Sequence, residues 1–84
     1  MDQPVVELDV HGLSSDEAVR KIESAIRAAG QGVYRIRVIH GFNRGTRIRE
    51  AIYREIGYGL NPKVKRIMPG ENQGITELVL REYW

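Results

Sequence analysis

From Val5 to Val10 the chain alternates. Val6, Leu8 and Val10 share one side, while Glu7, Asp9 and then His11 share the other. A period of two is the mark of a half-buried strand, here expected over residues 5–10, with Gly12 ending it. The period then changes. Val19, Ile22, Ala25, Ile26 and Ala29 recur at helical spacing and make one apolar stripe. Ser14 followed three residues later by Glu17 is a capping box, in which each side chain takes the other's backbone N–H. Leu13 and Ala18 stand where a hydrophobic staple closes over that turn. A helix over 14–29 follows, with Gly30 as its stop.

Alternation returns at 34–39. Tyr34, Ile36 and Val38 face one way, Arg35 and Arg37 the other. After a glycine-bearing loop, Thr46 is placed to cap a second helix over 46–56, with Ile48, Ala51, Ile52 and Ile56 on one side. Gly57 ends it, and Gly59 and Pro62 keep the next stretch irregular. Strands are expected over 64–68 and 75–80, joined by the turn chemistry of Pro69 to Gly74 as a hairpin. The order βαβαββ, with right-handed crossovers, places both helices on one face of the sheet. The expected fold is an α+β two-layer sandwich: a four-stranded mixed sheet, two helices on one face, and an open face carrying Glu7, Asp9, Arg35 and Arg37. The chain reads as one domain, 1–84, with no internal repeat or linker.

Composition narrows the function. Without cysteine there is neither a disulfide nor a thiolate metal site, and two histidines cannot by themselves close a four-ligand zinc site. Residues 1–7 lack the basic and apolar regions of a secretion signal, and no apolar run approaches membrane-spanning length. A soluble, cytoplasmic protein that uses no membrane is expected. The formal charge is only +2, yet residues 35–66 hold nine Lys/Arg against two Asp/Glu. That concentration fits either a polyanion partner or a solvated arginine-rich surface.

Ligands of open α/β sheets gather beyond the carboxyl ends of parallel strands. Two segments fall there. Asp9 and His11, two apart on a strand, share a face. A carboxylate can orient such an imidazole for proton transfer near neutral pH, or the pair can simply cap the loop. The second segment runs from His40 through Gly41, Phe42, Asn43, Arg44 and Gly45 to Thr46. Its glycines can turn backbone N–H groups outward, and the helix N-terminus adds partial positive charge beside Arg44, Arg47 and Arg49. This is either a phosphate seat or a tight turn that needs glycine for its shape. A Walker ending is absent, so nucleotide hydrolysis is not expected. His40 points toward the helix layer by alternation with Val38. Phe42, at the loop tip, can stack on a base or tuck under the second helix.

In order and spacing these segments resemble the Smr (small MutS-related) domain. Its Leu-Asp-x-His-Gly motif is matched by Leu8-Asp9-Val10-His11-Gly12. Its His-Gly loop leading into a helix is matched by Ile39-His40-Gly41-Phe42-Asn43-Arg44-Gly45, running on to Arg49. Its glycine turn before a Thr-bearing strand is matched by Gly70 to Thr76. Asn43 stands where the family loop has its middle glycine, and the loop is one residue longer. The resemblance implies a fold similar to the C-terminal domain of bacterial translation initiation factor three, in a chain of the stand-alone bacterial kind. It also implies binding of RNA or DNA and, as in several members, endonuclease activity. Asp9 and His11 would then be the catalytic pair. His40, Gly41, Phe42, Asn43, Arg44, Gly45, Arg47 and Arg49 would hold the nucleic acid. On RNA the 2′-hydroxyl can be the nucleophile; on DNA water must be activated, which would bring in a divalent ion (Mg²⁺ or Mn²⁺) at Asp9. The alternative is a non-catalytic module docking on nucleic acid or the ribosome.

Overall fold

Strand β1 (Val5–Asp9) lies at one edge of a four-stranded sheet and pairs in parallel with β2 (Arg35–Ile39), so that Asp9 stands opposite Ile39. These features come from a computed structural model, which describes residues 4–42 and 45–82. Asn43 and Arg44 of the expected phosphate loop, and the terminal Tyr83 and Trp84, lie outside the described residues. Between β1 and β2 runs helix α1 (Ser15–Ala28); after β2 comes α2 (Arg47–Glu55), then β3 (Arg66–Pro69) and β4 (Ile75–Val79). The sheet order is β1-β2-β4-β3. β4 lies antiparallel to both β2 and β3. The expected hairpin is present, and its second strand inserts between β2 and β3.

The apolar periods of the sequence converge on one core. Ile22 and Ile26 of α1, Ala51 and Ile52 of α2, Ile36 and Val38 of β2, and Leu78 of β4 are all buried in a single cluster. α1 and α2 pack against each other on this side. The opposite face carries the charges. Arg35 reaches Glu77 at 3.2 Å, and Arg37 reaches Glu7 at 3.4 Å and Glu77 at 3.6 Å.

Element ends differ from expectation in instructive ways. α1 stops at Ala29, which is already extended (φ −67°, ψ 124°), so Gly30 is not the left-handed cap that its identity suggests. β3 begins two residues later than expected. Asn61 holds the approach in a turn, its side chain accepting from Lys63 N–H and its carbonyl from Val64 N–H. Thr46 occupies the N-cap of α2 but gives no side-chain cap; its hydroxyl donates to Glu50 at 2.5 Å instead. Among the described residues no helix is long and apolar enough to cross a membrane.

Candidate nucleic-acid interface

The parallel pairing of β1 with β2 decides where the chemistry lies. Neighbouring strands are about 4.8 Å apart, and Val10 N–H donates to Ile39 O at 2.9 Å. The residues that follow each strand are therefore neighbours. A β-carbon placed on Gly41 would lie 3.6 Å from that of His11. The two motifs, separate in sequence, wall one cleft of about 720 Å³. Its lining includes His11, Gly12, Ser14 and Ser15 on one side and His40, Gly41, Phe42, Gly45, Arg47 and Ile48 on the other.

On the β1 side, Asp9 Oδ1 accepts from the backbone N–H of His11 at 3.0 Å and from its ring Nδ1 at 2.5 Å. These bonds, the ring's first, hold the Asp9 carboxyl below the ordinary carboxylate range. The charge of Lys21 helps, its Nζ lying 3.4 Å from the Asp9 carbonyl oxygen. An ionised Asp9 keeps the proton of His11 on Nδ1 and leaves Nε2 as the nitrogen for proton exchange. Both side chains are more than half exposed, so a substrate can reach them.

The β2 side is built differently. His40 is buried, as its alternation with Val38 predicts. Burial pushes its imidazole below the ordinary histidine value, and the charge of Arg49 adds to this against the opposing bond to Gly41. In the neutral ring, Nδ1–H donates to Gly41 O and Nε2 accepts from the Thr76 hydroxyl, each at 2.8 Å. The N–H groups of His40 and Gly41 both donate to Gly74 O, and that of Gly45 donates to Phe42 O. The glycine N–H groups expected to face a phosphate are thus spent on the loop itself. What the glycines supply is shape: φ is 76° at Gly41 and 92° at Gly45. Gly74 completes the platform. A β-carbon there would lie 3.1 Å from the Phe42 ring and 3.2 Å from Gly41 Cα, so the third motif is the floor on which the second rests.

The two helix N-termini that face the cleft are unequal. That of α1 is closed by its own capping box: Glu17 N–H donates to Ser14 Oγ at 3.2 Å, and the Glu17 carboxylate accepts from the Ser14 N–H and hydroxyl. The first turn of α2 has no side-chain cap, and the first N–H groups of a helix have no partners within it. With Arg47 beside them they make this the electropositive wall. Glu50, the one acid of that turn, is engaged by Thr46.

A family model described as the Smr domain matches residues 8–79. The chain belongs to the Smr domain family. The crystal structure of the Smr domain of Thermus thermophilus MutS2 superposes with a TM-score of 0.79 at 24% identity, covering 92% of this chain and 99% of that one. Among curated proteins none matches significantly.

In this Smr domain the basic middle third of the sequence does not form one patch. Arg35 and Arg37 are on the open sheet face, partnered by Glu7 and Glu77. Lys63 and Lys65 are at the far end, beside Arg81 and the C-terminal end of α1. Of the described arginines in this segment, only Arg47 lines the cleft, with Arg49 acting on His40 behind it. The described residues gather no group of three His, Asp or Glu side chains able to hold a metal ion. Sequence reasoning missed Lys21, Ser14 and Ser15 as parts of the site. Ser14 was legible as a helix cap, but that the capped end walls the cleft is a tertiary fact.

Proposed function

We propose that this Smr domain binds nucleic acid with a phosphate in the cleft between His11 and the N-terminus of α2, and that it cleaves the strand there as an endonuclease. One observation carries the reading. A histidine whose Nδ1 is held by a carboxylate faces, across a single cleft, an electropositive helix end with no side-chain cap. A proton-transfer group and an anion seat on opposite walls are what phosphodiester cleavage requires.

RNA suits this set better than DNA. Nε2 of neutral His11 takes the proton of the 2′-hydroxyl, and the freed oxygen attacks the adjacent phosphorus. The 5′-oxygen leaves, taking up a proton from water, the imidazolium returns its proton to the hydroxide so formed, and a 2′,3′-cyclic phosphate remains. Arg47 and the first N–H groups of α2 stabilise the charge that builds on the phosphorane. Asp9 holds the ring in place and stabilises the imidazolium. Arg49 adds positive charge from behind His40.

A second reading has its own support. Asp9 also takes the backbone N–H of His11, the geometry that shapes the turn before Gly12, where φ is 81°. In that case the domain is a binding module without catalysis. Labelled RNA and supercoiled plasmid, incubated with the protein with and without chelator, separate the two. The His11→Ala protein should cut RNA about a hundredfold or more slowly, with affinity retained. Cutting at the wild-type rate refutes the catalytic assignment; wild-type protein that binds tightly and cuts neither substrate establishes the module.

A further inference from the structure

The turn after α2 is closed by Leu60 N–H donating to Gly57 O at 3.0 Å, with both central residues at positive φ, and one of the two is a tyrosine. Tyr58 has φ 56°, the left-handed region that disfavours a bulky side chain, although glycines flank it on both sides. The residue is 86% exposed. Strained backbone and a bared aromatic ring both oppose folding, and such outliers concentrate where a ligand is held.

The surroundings say which ligand. Tyr58 lines a surface groove of about 410 Å³ with Arg49, Glu50, Tyr53 and Arg54. Arg49 and Tyr53 also line a neighbouring groove of about 440 Å³, walled by Asn72 and Gln73 of the β3–β4 turn. Arg49 acts electrostatically on His40, which lines the cleft. The Glu50 carboxylate accepts from the Thr46 hydroxyl and keeps its charge, while Glu55 pairs with Arg54 at 3.5 Å. Two phenol rings interleaved with two guanidinium planes, next to side-chain amides, suit a flat aromatic group that stacks and hydrogen-bonds. A duplex keeps its bases stacked inside and cannot present one here.

We propose that the outer face of α2 and the Gly57-Tyr58-Gly59 turn form a stacking subsite for an unpaired nucleobase, which takes a base of the strand whose phosphate sits in the cleft. This rests on the reading of the cleft as a phosphate site, and it adds that the preferred substrate is single-stranded beside the scissile phosphate.

The test uses an RNA of about twelve nucleotides carrying 2-aminopurine, whose fluorescence is quenched on stacking, alongside a blunt RNA duplex. Because glycine relieves the left-handed strain, Tyr58→Gly should raise Tm by about 2–5 °C. It should also weaken single-strand binding by about five- to a hundredfold, from the worth of one base–aromatic stack, and abolish the quenching. Duplex binding should be unchanged, and Tyr58→Phe should behave as wild type. The subsite is overturned if Tyr58→Gly and Tyr53→Ala bind and quench the single strand as wild type does, or if Tyr58→Gly weakens duplex equally. Arg47→Ala separates the two failures. If it alone weakens binding, the cleft reading stands without the subsite; if none of the variants does, both fall.

Discussion

The Thr76 hydroxyl donates to Nε2 of His40 at 2.8 Å, and this bond ties β4 to the end of β2 beneath the cleft. It requires a neutral ring, since an imidazolium has no acceptor nitrogen. His40 titrates below the ordinary histidine value because it is buried, so the unfolded chain takes up its proton first as pH falls. Stability should therefore be level above about pH 7 and decline from about pH 6.5 downward. Urea melts between pH 5 and 8 should show this decline in wild type and its loss in His40→Gln. An identical decline in the variant would mean that another group carries it.

Thr76→Val keeps the shape of the side chain and removes the donor. The buried ring nitrogen is left unsatisfied, at a cost of about 1–3 kcal/mol. Chemical denaturation at pH 7.5 reads this directly; a variant as stable as wild type would show that water replaces the hydroxyl.

Gly74→Ala should disturb the loop rather than the sheet. Its methyl would press on Phe42 at 3.1 Å and on the Gly41 backbone at 3.2 Å. We expect a loss of about 1–3 kcal/mol from overpacking, with amide shifts at His40 to Phe42 and weaker nucleic-acid binding. Unchanged loop amides would contradict the platform role of the third motif.

The uncapped end of α2 makes Thr46→Asp informative. A carboxylate there gains from the helix dipole but removes the donor of Glu50 and stands against its charge, so Tm should change little. The same charge occupies the anion seat, so affinity for RNA should fall. If affinity rises, phosphate does not sit there.

Much of the site was legible because its parts are local. The Asp9–His11 pair follows from strand alternation, and the capping box of α1 from Ser14 and Glu17. The loop glycines follow from the need for positive φ. What escaped depends on long-range pairing. β4 inserts beside β2, so Thr76 meets His40 and Gly74 takes the N–H groups that a reading of the loop alone directs toward ligand. The hydroxyl of Thr46 turns to Glu50, a choice that propensity does not encode. The basic run, close together in sequence, is divided among several surfaces because strands, a helix and a turn carry it in different directions.

That division gives a further expectation. Arg47→Ala with Arg49→Ala should reduce the salt dependence of single-strand binding by about 1.4 in log–log slope, the counterions of two phosphate contacts at about 0.7 each. Lys63→Ala with Lys65→Ala, at the far end of the sheet, should leave the slope near wild type. The reverse pattern would move the binding surface.

The most direct test of the central claim is an amide NMR titration with a short RNA at low salt. Shifts should cluster on His11 to Ser15, on His40 to Phe42, and on Gly45 to Ile48, the two walls of one cleft. Shifts confined to Arg35 and Arg37 on the open sheet face, or to Lys63, Lys65 and Arg81 at the far end, would contradict it.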